Sequence, residues 1–430
     1  MRSTPTRSRV AGAALALVLA GTVGASGSGW HGHDKKHHRD DTRAKNVIFI
    51  VGDGMGIAHR ELIRLATVGR DAELEMDQMP YHGWAHTDPA DPEDVVTDSA
   101  AGATAFATGV RSYNGAVGVD VDGKPVTSLL ERAKKSGKAT GLVTTSQVTD
   151  ATPASFGSHV ADRGDQSEIA RQFLEVTQPD VILGGGEDWW YPADEEGAWP
   201  DNPPTDPSEQ SKGTKGNLVE RAKTLGYEYV TDADTLAAAK VREGGKLLGL
   251  FANEEMFEHH NEGPDAIYDP SVPLPTMATK ALDVLKKDKQ GFFLVIEEEG
   301  IDEMAHHGNA TLMIEAGRAL DRTVALARDF AKKEGNTLVV VAGDHETGGL
   351  AIENPDDDES GDGEQAEDGP ITLYGTDQEF YVDWTTGGHT GAATPATAEG
   401  PGAARMRDVR DNTDIHDLVL AAMKLDRGRR

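Results

Sequence analysis

A serine that could act as a nucleophile stands at the start of a stretch of small residues. Ser99 is followed almost entirely by small side chains up to Gly109, so a helix here can pack closely against a neighbour. The first turn of such a helix offers free N–H groups and the positive end of the helix dipole, where phosphate docks readily. No histidine or lysine lies beside Ser99, so another group would have to lower the pKa of a nucleophilic serine, and a metal ion is one standard means. A capping serine on a buried helix is the simpler alternative, and this stretch alone favours it.

Residues that could hold such a metal follow the apolar runs of the chain. Asp302 and His306 are four residues apart, so on a helical turn both point the same way and can share one zinc ion. Taken singly, each candidate has a simpler explanation as an N-cap, an ion-pair partner or a loop histidine. Together, arriving mostly at the ends of predicted strands, they favour zinc. The candidates are Asp53, Asp302, His306, Asp344, His345 and His389, with Glu297 at the end of its own apolar run.

Two further positions suit other parts of the same chemistry. Asp150 and Thr152 lie in Asp-Ala-Thr-Pro and offer the hard oxygen ligands that magnesium prefers over zinc. Arg163 follows ten residues after Pro153, and its planar guanidinium matches a tetrahedral oxyanion. An ordinary surface arginine is the alternative for Arg163.

The elements that would position these residues alternate along the chain. Six apolar runs predict buried strands, at 46–51, 139–144, 181–184, 247–251, 292–297 and 338–343. Stretches of helical period lie between them, and the alternation predicts an α/β fold with a largely parallel sheet covered on both faces. Two segments interrupt it: 186–216, predicted as a surface loop, and 353–388, predicted as an inserted acidic segment. A helix over 414–425 closes the fold.

Composition limits the classes of partner. The chain has 430 residues with Lys and Arg 42 against Asp and Glu 73, for a net charge of −31. This charge argues against nucleic acid or an anionic membrane as a partner. The cysteine count is 0, so no disulfide braces the fold, and bound metal ions are one substitute.

The amino end predicts export. Arg2, Arg7 and Arg9 precede an apolar run over 10–19 that is too short to span a bilayer, so 1–25 is interpreted as a signal peptide. Residues 26–45 are rich in histidine, glycine and charge, and we expect a disordered tether. The sequence therefore predicts a secreted or periplasmic protein without membrane insertion.

Six motifs, in order and spacing together, resemble the alkaline phosphatase family. They are V-G-D-G-M-G (51–56), D-S-A-A-G-A-T-A (98–105), D-A-T-P (150–153) with Arg163, F-F-L-V-I-E…I-D…H (292–306), A-G-D-H-E-T-G-G (342–349) and H-T-G (389–391). The resemblance implies that 46–430 is one catalytic domain, a three-layer α/β/α sandwich with an inserted, crown-like flap. It also implies a phosphate monoester hydrolase acting on small molecules, with two zinc ions and one magnesium ion per chain. A homodimer is the assembly considered.

The resemblance further implies a role for each candidate. Ser99 would be the nucleophile that forms a phosphoserine, and Arg163 would clamp the phosphate. Asp302, His306 and His389 would bind one zinc, and Ser99, Asp53, Asp344 and His345 the other. Asp53 would also bind magnesium with Thr152 and Glu297, while Asp150 would orient its waters.

The chain also departs from the family pattern. Glu298 and Glu299 stand where relatives carry small residues, and 392–398 is less strand-like than expected. A phosphodiesterase or sulfatase with the same metal ligands is the nearer alternative. The serine at position 99 and the presence of Arg163 both argue against it. An acidic secreted protein that stores cations is the more distant one.

Overall fold

The computed structural model describes residues 43–203, 209–257, 268–354 and 368–425. The predicted signal peptide and the tether up to residue 42 lie outside the described residues. Ala44 is buried, and its N–H donates to Ala422 O at 2.8 Å, so the packed fold includes residues just before the first strand. Within the described part of the chain, no helix combines the length and the apolar character needed to cross a membrane.

Fourteen strands form sheets among the described residues. They are β1 (Asn46–Gly52), β2 (Tyr81–Ala85), β3 (Ala139–Gln147), β4 (Val181–Gly185), β5 (Tyr227–Val230), β6 (Lys246–Leu250), β7 (Phe292–Glu298), β8 (Thr337–Gly343), β9 (Glu346–Thr347), β10 (Leu350–Glu353), β11 (Asp368–Thr372), β12 (Glu379–Trp384), β13 (His389–Thr390) and β14 (Thr394–Glu399).

Eleven α-helices accompany them within the described ranges. They are α1 (Ile57–Thr67), α2 (Ser99–Thr108), α3 (Leu129–Lys135), α4 (Ala151–Gly157), α5 (Gln166–Gln172), α6 (Leu218–Thr224), α7 (Ala233–Ala238), α8 (Leu274–Leu285), α9 (Gly300–His306), α10 (Ala310–Glu334) and α11 (Asn412–Met423).

A nine-stranded sheet in the order β2-β14-β8-β1-β7-β3-β4-β6-β5 forms the central layer. β1 pairs in parallel with β7 and β8, whereas β14 runs antiparallel to both of its neighbours, β8 and β2. Every residue of β1 is buried because the strand has apolar contacts on both faces. Ile48 and Ile50 pack in the core that includes α1, α8 and α10, whereas Val47 and Phe49 pack in the core that includes α2, α3, α4 and α11. This confirms the three-layer α/β/α prediction.

Two small antiparallel sheets follow β8. β10, β12 and β11 form one, in which β11 and β12 lie within the segment predicted as an insertion and β10 ends at its first residue. β9 pairs with β13 to form the other. Residues 355–367, which carry the acidic run of that segment, lie outside the described residues.

Two stretches differ from their sequence-based reading. The segment after His389 does form a strand, β14, because Ala396 and Ala398 are buried between β8 and β2 and packing there outweighs weak strand propensity. The predicted surface loop at 186–216 begins with buried residues. Trp190 is 0% exposed, and the Glu187 carboxylate accepts bonds from Ala198 N and Trp199 N.

Candidate active site

The predicted ligands meet at one edge of the central sheet. Because β1, β7 and β8 run parallel and adjacent, their carboxyl ends lie side by side. Asp53 follows β1, Glu297 lies near the end of β7, and Asp344 follows β8. Open α/β sheets bind ligands at this edge.

Helix α2 presents Ser99 to the same place. Its N-cap is Asp98, whose Oδ1 accepts from Ala101 N at 2.9 Å, so Ser99 is not the capping residue. Instead, Ser99 Oγ lies 3.1 Å from His345 Nε2. The small residues have the predicted packing role, since a Cβ added to Gly102 would lie 3.1 Å from Asp344 O.

Asp53, Asp344 and His345 form one cluster that fits a metal ion. Their ligand atoms lie within 4.8 Å of one another, and His345 Nε2 is 3.1 Å from Asp53 Oδ1. Asp53 Oδ1 and Asp344 Oδ2 are buried without a hydrogen-bond partner in the described part of the chain. Burial raises the pKa of Asp344 to about 7 and, with Asp344 and Asp302 nearby, raises that of Asp53 as well. Burial lowers the pKa of His345 to about 4, which leaves a neutral ring suited to binding metal. A divalent cation would satisfy all three groups.

Asp302, His306 and His389 form the second cluster. His306 Nε2 lies 3.1 Å from His389 Nε2 and 3.2 Å from Asp302 Oδ2. His306 Nδ1 bonds to Gly387 O at 2.8 Å and His389 Nδ1 to Thr97 O at 2.9 Å, so both Nδ1 atoms donate and both Nε2 atoms point inward. The hydrogen bond with Asp302 raises the pKa of His306 to about 9, because the carboxylate stabilises the protonated ring.

The two clusters adjoin through His345. Asp302, His345 and His389 also bring ligand atoms within 4.8 Å of one another, and the His345 and His389 rings stack at 3.6 Å. Sequence reasoning missed Thr347, whose hydroxyl donates to Asp302 Oδ1 and lies 3.2 Å from His345 Nδ1. It fixes one group from each cluster.

The predicted magnesium ligands lie beside the first cluster. Glu297 Oε2 accepts from Thr144 Oγ1 at 2.6 Å, and the buried Thr152 Oγ1 has no hydrogen-bond partner among the described residues. Burial, followed by the charges of Asp150 and Asp344, raises the pKa of Glu297 to about 8. These hard oxygen donors fit magnesium.

Arg163 is oriented by two carboxylates. Its Nη2 donates to both oxygens of Asp150, at 2.9 and 2.8 Å, and its Nη1 lies 3.4 Å from Asp98 Oδ2. Asp150 therefore contacts the arginine directly in this structure. Asp98, also missed as a functional candidate, both caps α2 and holds Arg163, so nucleophile and guanidinium share one anchor.

Glu298 and Glu299, the two departures from the family pattern, differ in their hydrogen bonding. Glu298 is 0% exposed and accepts from Tyr268 Oη at 2.8 Å and Thr145 Oγ1 at 2.9 Å. Glu299 is 5% exposed, and its Oε2 has no hydrogen-bond partner among the described residues. Burial is the main cause of the raised pKa of each.

Glu298→Gln should stabilise the protein at alkaline pH. Burial raises the pKa of Glu298 from 4.5 to about 7, so its contribution to stability is complete below about pH 4.5 and is lost as the pH rises through about 7. Glutamine has no such loss, so the gain should reach up to about 3 kcal/mol near pH 9 and shrink towards pH 5. Denaturant unfolding at both pH values, with metals held constant, measures it. Glu228→Gln, at an exposed glutamate, is the control. An equal effect of Glu298→Gln at both pH values would contradict the raised pKa of Glu298.

The chain is similar to known phosphatases over most of its length. The family model described as alkaline phosphatase matches residues 44–377. Alkaline phosphatase of Escherichia coli K12 is 34% identical over 90% of this chain and 87% of its own length. Streptomycin-6-phosphate phosphatase of Streptomyces griseus is 35% identical over 89% of this chain and 91% of its own. The alkaline phosphatase structure from the Antarctic bacterium TAB5 is 28% identical, with a TM-score of 0.71, and the match covers 89% of this chain and 99% of that one.

Proposed function

Because this chain belongs to the alkaline phosphatase family and is a phosphomonoester hydrolase, we propose that it works through a phosphoserine on Ser99. The observation that carries the proposal is the position of Ser99 Oγ, at the start of α2 and 3.1 Å from His345 Nε2 in the first cluster. A helix start favours the phosphate, and the cluster favours the cation that a nucleophilic serine needs.

The reaction proceeds in two displacements at phosphorus. Ser99 Oγ forms the bond to phosphorus while the ester oxygen leaves with the alcohol. Water then cleaves the phosphoserine, releasing inorganic phosphate and restoring the hydroxyl. Arg163 donates to oxygens of the transferred group, and the N–H groups at the start of α2 that Asp98 does not engage face the same charge.

The proposed cofactors are two zinc ions and one magnesium ion. Two clusters of mixed histidine and carboxylate ligands suit zinc, and the oxygen donors of Glu297 and Thr152 with Asp53 suit magnesium. When bound, such ions lower the pKa of the serine hydroxyl and of water and stabilise charge on the leaving oxygen. A variant of the TAB5 enzyme with magnesium bound at a metal site is 30% identical to this chain.

The proposed setting is secreted or periplasmic, supported by the arginines and the short apolar run within residues 1–25. The proposed substrates are small phosphomonoesters. The net charge of −31 repels anions, so we infer that bound cations and Arg163 supply the local positive charge that admits them.

Hydrolysis of p-nitrophenyl phosphate and of its bis-ester, each with and without a chelator, tests the function. We expect rapid monoester hydrolysis that the chelator abolishes and added zinc with magnesium restores. Preference for the bis-ester would indicate a phosphodiesterase, and no hydrolysis with full metal binding would indicate a cation-storing protein.

We propose a homodimer formed through the β2 side of the molecule. β2 is an end strand of the central sheet, where Trp84 is 40% exposed, and Ile57 is 65% exposed nearby in the same cleft. Sedimentation at micromolar concentration should give twice the chain mass, and Trp84→Glu should shift it towards the monomer. Val121→Glu is the control at an exposed apolar residue elsewhere. A monomeric parent protein would contradict this assembly.

A further inference from the structure

His389 differs from the other proposed zinc ligands in the backbone segment that carries it. Asp53, Asp344 and His345 follow strands of the central sheet, and Asp302 and His306 lie in α9. His389 lies in the two-residue strand β13 with Thr390, and glycines border the pair in Gly-Gly-His-Thr-Gly. Glycines leave the backbone free, so something else has to hold this ligand in place.

Glu346, the residue after His345, contacts the loop that carries His389. Its Oε2 accepts from Thr390 Oγ1, and its Oε1 accepts from Leu350 N at 3.2 Å. In the β9–β13 pair, Thr390 lies opposite Glu346 and His389 lies opposite Thr347. The carboxylate therefore joins the His389 loop to the segment that carries the first cluster.

The surrounding chain accommodates this carboxylate in a buried position. Glu346 is 4% exposed, and a Cβ added to Gly56 would lie 2.2 Å from Glu346 Cγ. His59, 0% exposed, places its Nδ1 3.7 Å from Glu346 Oε1. Burial lowers the pKa of His59 to about 4, so its ring is neutral and does not neutralise the glutamate. A buried carboxylate without a cationic partner is costly for stability, so a purely structural position would be filled as well by an apolar residue.

We propose that Glu346 is a positioning residue that, through the hydroxyl of Thr390, holds His389 Nε2 towards Asp302 and His306. The inference rests on the proposed function in one respect, that this cluster binds zinc. His389 Nδ1 is already fixed by Thr97 O, so the ring orientation and the loop position are set by separate bonds. Loss of the Thr390 bond leaves the loop to the short backbone pairing of β13 with β9 and weakens one zinc site, while the Asp53, Asp344 and His345 cluster is unchanged.

Zinc affinity measured by chelator competition on the purified protein tests this directly. Thr390→Val removes the hydroxyl at nearly constant volume and should weaken one zinc site on the order of 10–100-fold, the usual effect of losing a partner of a ligand. Thr390→Ser keeps the hydroxyl and should restore the parent affinity. Both variants should keep the melting temperature of the metal-free protein, a check that the fold is intact.

Variants of Glu346, the acceptor of the Thr390 hydrogen bond, test the inference independently. Glu346→Met removes the acceptor and should weaken the same site as Thr390→Val does, whereas Glu346→Gln keeps an acceptor and should stay near the parent. The Glu346→Met/Thr390→Val double variant should be no weaker than either single variant, because both remove one bond. Equal zinc affinity in Thr390→Val and Thr390→Ser, or additive losses in the double variant, would overturn the inference. A parent protein that hydrolyses phosphomonoesters without binding zinc would overturn it too, whereas one that binds zinc without hydrolysis would overturn only the proposed function.

Discussion

Ser99→Ala should reduce turnover of a phosphomonoester by about 10⁴-fold or more while zinc and phosphate binding persist, because only the covalent route is removed. The ligand atoms of Asp53, Asp344 and His345 converge on one another without help from the hydroxyl. Asp98, not Ser99, caps α2, so the helix should keep its stability in the variant. Turnover, bound zinc and acid-trapped phosphoserine from labelled substrate measure the three parts of this expectation.

Ser158→Ala provides the matched control. Ser158 is 1% exposed and its hydroxyl donates to Ala154 O at 2.8 Å, so this substitution also removes a buried serine hydroxyl. Turnover per folded molecule should not change in that variant. Near-parent turnover in Ser99→Ala, with no labelled phosphoserine in the parent, would exclude Ser99 as the nucleophile.

The parts of the fold that the sequence predicts are those set by local pattern. Strands β1, β7 and β8 are continuous apolar runs because they are buried on both faces, and such a run marks the polar residue that follows it. Asp53 and Asp344 were therefore identifiable without coordinates. β14 was not, because alanine has little strand propensity and the strand depends on its neighbours for burial.

The residues that sequence reasoning missed act through contacts between distant segments. Thr347 bonds Asp302 across 45 positions, and Thr390 bonds Glu346 across 44. Both threonines stand in motifs that the sequence singles out, at 342–349 and 389–391, but a motif does not show which side chain each hydroxyl bonds. Those partners follow from the pairing of β9 with β13 and the approach of α9. Asp98 did have a signal, since an aspartate directly before a small-residue helix is a typical N-cap, but its contact with Arg163 is again tertiary.

Arg163→Ala should reduce kcat/KM for a phosphomonoester by about 10²–10³-fold, the usual effect of losing a donor to transition-state charge, and should affect a diester far less. The transferred group of a monoester has one more unesterified oxygen than that of a diester, so it uses the guanidinium more fully. Asp150 and Asp98 already hold the side chain, which limits the entropy lost on binding phosphate. Arg163→Lys should recover only part of the loss because an ammonium has no planar fork.

Arg171→Ala, which removes an arginine paired with Glu168 and Glu175 in and after α5, is the control and should leave both activities unchanged. Equal losses on monoester and diester in Arg163→Ala would show that the arginine contributes to general binding or folding, and the assignment of Arg163 to the transferred phosphoryl group would then be wrong.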